Sequence, residues 1–275
     1  MKGNKRARGF TVIETLIVLA ITGGLFVAVA LSLSGKQAQT QFDQAIQDVK
    51  SQIQQTINDV SVGFFPNRNN YNCSAGPLGP VISSGGGSQG ANSGCVFLGK
   101  AIQFGIAGTN PEQFRVFTIA GLQKDASGNE VTSYASADPT VIAPSTVNPN
   151  MPDGSSSGRL NYGLTTLRAY YGSPAANIGA VAFVNSLAAY SNGSLVSGSQ
   201  QLNVIPITGS GLNVTSQAAA TTIGAGLAAS ATNPSTGVSI CFVSGTTNQS
   251  GLITIGGAGR QLNVTLNIKG NKTCS

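Results

Sequence analysis

The amino-terminal part of the chain is almost continuously hydrophobic. Residues 12–33 are 22 consecutive positions that carry one charged side chain, that of Glu14. A helix rises about 1.5 Å per residue, so this run is long enough to cross a hydrocarbon core of about 30 Å. The pattern therefore predicts a membrane-spanning helix over residues 10–34.

Farther along, the hydrophobic residues are confined to every third or fourth position. This stripe consists of Phe42, Ile46, Val49, Ile53, Ile57 and Val60. The spacing places them on one face of a helix, with Gln, Asp and Lys on the other faces. No proline interrupts residues 10–59, and Gly63 and Pro66 then supply a stop signal. Together the two patterns predict one helix over residues 10–60, whose second half packs on a globular head.

The remaining residues, 61–275, predict a β-rich head. Strand-like runs occupy residues 96–98, 101–106, 114–120, 178–187, 238–243, 252–255 and 262–268. A hairpin turn is expected at residues 124–130 and a short Ala-rich helix within residues 216–230. Residues 61–94 and 138–158 are rich in Gly, Pro, Ser and Asn and are expected to be irregular insertions. The predicted fold class is α+β, with a long N-terminal helix packed on an antiparallel β-sheet.

The charges change the picture in two ways. The net charge of +6 is concentrated at the start, because residues 1–9 hold four cations and no acid. The rest of the chain has 11 basic and 9 acidic residues, a balance that does not require a nucleic acid partner. Since the cations precede the hydrophobic run and only Lys36 follows it closely, the N-terminus is expected in the cytoplasm and the head outside it.

A cleaved signal peptide is the alternative interpretation of this start. Ala28-Val29-Ala30 offers a small-residue cleavage site. Two features argue against it: the carboxylate of Glu14 lies within the hydrophobic run, and the helical pattern continues past the cleavage point.

Four cysteines, Cys73, Cys95, Cys241 and Cys274, are expected to form two disulfides in an exported chain. Three connectivities are possible. We favour the local pairing of Cys73 with Cys95 and of Cys241 with Cys274. A zinc site made of all four thiolates lacks the usual paired spacing.

Residues 8–21 carry a further pattern, with the sequence RGFTVIETLIVLAI. It resembles the processing and assembly motif of type IV pilins and type II secretion pseudopilins. The resemblance implies that residues 1–9 are a leader that a prepilin peptidase removes between Gly9 and Phe10, with N-methylation of Phe10. It also implies that Glu14 meets the Phe10 amine of a neighbouring subunit during assembly, which fits the need of a buried carboxylate for a cation. The alternative is that Glu14 reaches to the lipid headgroups.

Gly23 and Gly24 lie in the middle of the predicted span. Two consecutive glycines weaken a helix by about 2 kcal/mol relative to alanine. Two interpretations stay open: local melting within a filament, or close packing against a neighbouring helix.

A fainter resemblance lies near the C-terminus, in residues 253–262, ITIGGAGRQL. This segment resembles the Gly-Arg turn of minor pilins of the H/FimT type, some of which bind DNA during natural transformation. Arg260 fits that pattern, but Leu262 stands where the second arginine would be. Lys269 and Lys272 are the nearest other cations, so any DNA affinity is expected to be weak.

The sequence lacks histidine, which excludes histidine bases, histidine metal ligands and Ser-His or Cys-His nucleophiles. Asp138 and Asp153, on one predicted insertion, leave only a weak calcium site open. We expect no enzyme, cofactor or structural metal.

The expected function is a structural subunit of a type IV pilus-like filament, with other pilin subunits, a prepilin peptidase, the membrane and an assembly platform as partners. A type II secretion pseudopilin and a DNA-binding minor pilin are the alternatives. The expected location is a single-pass membrane protein that becomes part of a cell-surface filament.

Overall fold

The computed structural model describes residues 11–63, 71–76, 79–84, 94–105, 110–125, 127–142, 155–174, 177–185, 202–208, 225–227, 237–256 and 262–274. Within these residues a 50-residue helix, α1 (Val12–Ser61), precedes twelve strands. The strands are β1 (Tyr71–Gly76), β2 (Gly79–Ser84), β3 (Cys95–Phe104), β4 (Gln113–Leu122), β5 (Thr140–Ile142), β6 (Ser155–Arg159), β7 (Leu164–Tyr171), β8 (Ala180–Asn185), β9 (Leu202–Ile207), β10 (Val238–Ser244), β11 (Ser250–Gly256) and β12 (Asn263–Lys269). A 3-10 turn, η1 (Asn161–Gly163), leads into β7.

The helix begins and ends where its local chemistry dictates. Thr11 is the N-cap, and its hydroxyl accepts a hydrogen bond from the backbone N–H of Glu14 at 3.3 Å. At the other end Gly63 adopts a left-handed conformation, with φ of 68°, and its N–H donates to the carbonyl of Val60. The prediction of one continuous helix is confirmed over Val12–Ser61, while Phe10 lies outside the described residues.

The strands form antiparallel sheets rather than the single sheet that the sequence predicted. A six-stranded sheet has the order β5-β4-β3-β8-β9, with β6 also paired to β4, and a four-stranded sheet has the order β12-β11-β10-β7. β1 and β2 form a separate two-stranded sheet. The coarse α+β prediction is therefore confirmed, and the number of sheets is corrected.

The main hydrophobic core lies between the helix and the two larger sheets. The predicted stripe supplies Phe42, Ile46, Val49, Ile53 and Val60, all of them buried, while Ile57 is partly buried. Phe183 of β8 and Phe242 of β10 face them in the same cluster. Gly251 permits the close approach of β11, because a Cβ atom at this position would lie 1.8 Å from Cδ1 of Ile46.

A second core covers the opposite face of the six-stranded sheet. Phe117, Ile119 and Ala182 of the strands pack there with Val131 and Leu227. Since both faces of this sheet are covered, its central strands are buried over most of their length.

The irregular insertions predicted over residues 61–94 and 138–158 are wrong in part. The first contains the β1–β2 hairpin, and the second contains β5 and begins β6, both of which pair with β4. The compositions favoured turns, but backbone pairing to an exposed edge does not require an alternating hydrophobic pattern. Residues 143–154 lie outside the described residues.

Other strand predictions need smaller corrections. The run 96–98 and residues 101–104 of the run 101–106 belong to one strand, β3, with a register shift between Phe97 and Gly99. Gly105 follows the strand, and residue 106 lies outside the described residues. β7 and β9 were not predicted, and β9 carries a proline, Pro206, which is unusual within a strand. The predicted turn at residues 124–130 is confirmed by the antiparallel bridge between Lys124 and Glu130. Of the predicted helix within residues 216–230, the structure describes 225–227, which are helical.

Candidate functional site

Residues 12–30 of α1 make no contact that buries them against the described part of the chain. Residues 12–30 are all exposed, and Phe26, for example, retains 77% of its accessible surface. α1 is long and apolar enough to cross a membrane. A continuous exposed apolar surface of this kind is typical of a segment covered by lipid or by partner helices, because its exposure to water is costly in free energy. We call residues 12–30 the apolar segment.

Glu14 lies in the first turn of α1, and its side chain is exposed. Its position three residues after the Thr11 N-cap has the Thr-x-x-Glu spacing of a capping box, a signal that the sequence analysis did not use. The positive end of the helix dipole favours an acid in this turn. The proposed processing residues, Gly9 and Phe10, lie outside the described residues.

The threonine hydroxyls inside the apolar segment, those of Thr15 and Thr22, are satisfied within the helix itself. Thr22 donates a hydrogen bond from Oγ1 to the carbonyl of Val18 at 2.8 Å. Gly23 and Gly24 are helical, and a Cβ atom on either would meet nothing within 4 Å. The free chain therefore leaves open space beside both glycines, which does not separate the two interpretations made for them.

The opposite end of α1 is fixed to the head by a group that we call the helix clamp (Asp59, Val60, Lys100, Asn185). Nζ of Lys100 donates to Oδ2 of Asp59 at 2.7 Å, with the two side chains 8% and 21% exposed. Nδ2 of Asn185 donates to the carbonyl of Val60 at 3.1 Å. The clamp joins β3 and β8 to the last helical turn.

A tyrosine extends the helix clamp toward the second core. The hydroxyl of Tyr134 donates to the carbonyl of Asn185 at 3.0 Å and accepts from Nδ2 of Asn203 at the same distance. Burial raises the pKa of the Tyr134 hydroxyl, and the hydrogen bond from Asn203 acts against that rise. Tyr134 therefore stays a neutral donor at physiological pH.

The predicted disulfide between Cys241 and Cys274 is confirmed, with the two Cα atoms 5.9 Å apart. It attaches the C-terminal tail to β10. Ser250 adds a second tie, since its hydroxyl donates to the carbonyl of Thr273 at 3.2 Å. Cys95 is also disulfide-bonded, but the side chain of Cys73 lies outside the described residues. The pairing of Cys73 with Cys95 stays a prediction.

Two of the three cations proposed for DNA contact are described. Lys269 ends β12 and is half-buried, and Lys272 follows in the exposed tail. Arg260 lies outside the described residues. Among the described residues no group of three or more His, Cys, Asp or Glu side chains could hold a metal ion. Asp153 also lies outside them.

Sequence reasoning missed the helix clamp and a buried polar corner of the second core. Gln103 is fully buried, and within the described part of the chain neither atom of its amide has a hydrogen-bond partner. Arg115, opposite it on β4, places its guanidinium carbon 5.8 Å from the centre of the Phe117 ring. Burial lowers the pKa of Arg115. The detectable signal was a charged residue, Lys100 or Arg115, inside an apolar strand pattern.

Comparison with known proteins adds no relative. No protein-family model, curated protein or solved structure matches the chain.

Proposed function

We propose that this chain is a structural subunit of a type IV pilus-like filament, held in the membrane by α1 before assembly. The observation that carries the proposal is the division of one continuous helix. Residues 12–30 are exposed and apolar, while the stripe from Phe42 to Val60 is buried in the head. A monomeric soluble domain rarely exposes an apolar surface of this length, whereas a subunit that packs its helix against lipid or other helices does so before assembly.

The same division supports assembly through helix packing. Because the helix continues from the apolar segment into the head without a break, a force on one end is transmitted to the other. Packing the apolar segments of several subunits together would bury surface that one subunit exposes. Each head would then project outward at an angle fixed by the helix clamp.

Glu14 gives such packing an axial register. In an apolar bundle an unpaired carboxylate is costly, and a neighbouring terminal amine would neutralise it. Cleavage between Gly9 and Phe10 creates that amine near the start of α1. We therefore assign Gly9 and Phe10 to processing, and Phe10 with Glu14 to assembly.

A type II secretion pseudopilin would use the same helix in the same way. The two functions differ only in the apparatus, a pilus or a secretion system, into which the subunit assembles. The weak DNA hypothesis gains no support from Lys269 and Lys272, because two cations give little affinity for DNA at physiological salt and Arg260 lies outside the described residues.

The test compares Glu14→Ala with Asp43→Ala in the cells that produce the protein. Asp43 is an exposed acid on the same helix, outside the apolar segment. We expect both variants to lose residues 1–9, and only Glu14→Ala to be missing from filaments sheared off the cell surface. Equal incorporation of both variants would contradict the assembly role of Glu14.

A further inference from the structure

The two ends of the head can be placed along the axis of α1. Asp59, near the end of the helix, binds Lys100 of β3. Four residues further along β3, the ring of Phe104 lies 5.6 Å from that of Phe242. Phe242 pairs with Gly251, which lies against Ile46, thirteen residues before Asp59 on the helix. β3 therefore runs back along α1, and its Phe104 end, the proximal end of the head, lies nearest the apolar segment.

The described charges of the proximal end are mainly positive. In the strand register Arg159 of β6 lies opposite Gln113 at the start of β4. Lys269 of β12 lies opposite Ser250 of β11, the neighbour of Gly251. Lys272 follows Lys269 in the exposed tail. Glu112 is the one described acid of these strand segments, and it forms an ion pair with Arg159, whose side chain remains 76% exposed. Asp43 of α1, next to Phe42, is an exposed acid at the same level.

The described charges of the opposite, distal end are mainly negative. β4 ends there at Leu122, opposite Cys95. The turn that follows and the residues beyond it carry Lys124 against three acids, Asp125, Glu130 and Asp138. Within these described segments the charge is therefore polarised along the helix, with the positive excess toward the apolar segment.

An exposed aromatic residue lies among the proximal cations. Tyr162 of η1 is 47% exposed and has φ of 53°, in the left-handed region that non-glycine residues rarely occupy. Backbone strain of this kind persists where surrounding structure or function requires it. η1 packs on α1, and tyrosine rings favour the level of lipid headgroups.

The spacing along α1 brings this end close to the bilayer. From residue 34, where the predicted span ends, to Phe42, where the head begins, the helix rises about 12 Å. Headgroup layers add about 5–8 Å beyond the hydrocarbon core. Lys36 lies exposed within this interval.

We propose that the proximal end of the head, through Arg159, Lys272 and Tyr162, docks on anionic phospholipid headgroups of the bilayer that holds α1. The inference rests on the proposed function, because it requires α1 to span that bilayer. Cations next to a membrane are attracted by anionic lipids over roughly one Debye length, so the contact orients the head before a subunit leaves the membrane.

The experiment places the full chain in nanodiscs of phosphatidylcholine alone, or of phosphatidylcholine and phosphatidylglycerol in equal parts. Hydrogen exchange is followed by mass spectrometry. We expect amides of Asn161–Gly163 and of residues 270–273 to exchange roughly threefold more slowly in the anionic discs. High salt should abolish the difference. Lys272→Gln should reduce it, whereas Lys124→Gln, a matched change at the distal end, should leave it intact.

Three outcomes overturn the proposal. Equal exchange of the proximal segments in both lipid mixtures, with the chain retained on the discs through a high-salt wash, contradicts lipid docking and leaves the proposed function standing. If the exchange of these amides slows with a rising ratio of protein to lipid and not with lipid charge, the slowing comes from contact between two copies of the chain. That result also contradicts docking. Loss of the chain from the discs in the salt wash contradicts membrane insertion, and both proposals fail with it.

Discussion

Lys100 of β3 binds Asp59 in the last turn of the 50-residue helix, with 2.7 Å between Nζ and Oδ2. The pair lies at the end of the helix farthest from the exposed apolar segment, beside the last residue of the buried stripe, Val60. Negative charge at a helix C-terminus is unfavourable in itself, so Asp59 depends on its cation.

Removing that cation tests the helix clamp. We expect Lys100→Ala to lower the free energy of unfolding of the head by about 3 kcal/mol, because it leaves a partly buried carboxylate without its partner. Thermal unfolding of the full chain in detergent, followed by circular dichroism, measures the loss. The double variant Lys100→Ala/Asp59→Asn should be more stable than Lys100→Ala. A Lys100→Ala protein as stable as the wild type would show that the pair does not hold the helix.

The contact between Gly251 and Ile46 tests how closely β11 packs on α1. A methyl group at Gly251 would overlap Cδ1 of Ile46, so Gly251→Ala should destabilise the head by about 1–3 kcal/mol. Ile46→Val removes Cδ1 and should recover part of that loss in the double variant, although it is destabilising alone. Gly256→Ala is the control on the same strand, since a Cβ atom at Gly256 would have Cα of Gly237 as its nearest neighbour, 3.8 Å away. Equal effects of the two alanine substitutions would contradict the proposed close approach.

These two contacts show what the sequence can and cannot predict. The stripe from Phe42 to Val60 predicted the buried helix face, because hydrophobic residues that recur every three to four positions within one segment mark one face of an α-helix. The partner of Asp59 lies 41 residues away, and no local pattern connects the two. β6, with the sequence SSSGR, has no hydrophobic alternation and is placed by backbone pairing to β4. For the candidate site, the apolar segment and Glu14 were evident, whereas the clamp required the tertiary structure.

The Cys241–Cys274 disulfide closes a loop with a sequence separation of 33 residues. In the chain-entropy model its removal should cost about 3–4 kcal/mol. Cys241→Ser/Cys274→Ser should therefore unfold at lower temperature in non-reducing buffer, and adding a reductant to the wild type should approach the same result. An unchanged melting temperature in the double variant would show that the tail contributes nothing to the fold.

The raised pKa of Tyr134 makes a prediction about alkaline pH. Burial keeps this hydroxyl protonated in the folded state above its ordinary value of 10.0. Its stabilising contribution is therefore fully present below the unfolded pKa and is lost as the pH rises through the folded pKa. Tyr134→Phe should therefore lose less stability than the wild type at alkaline pH. The measurement is the melting temperature of both proteins as a function of pH. Identical alkaline profiles for the two proteins would contradict the assignment.

We propose above all that this chain is processed and assembled into a filament through its N-terminal helix. Mass spectrometry of filaments sheared from the cell surface and purified tests it most directly. We predict that the chain is present and begins at Phe10 with a methylated amine. A chain that retains residues 1–9, that begins after Ala30, or that is absent from the filaments would contradict the claim.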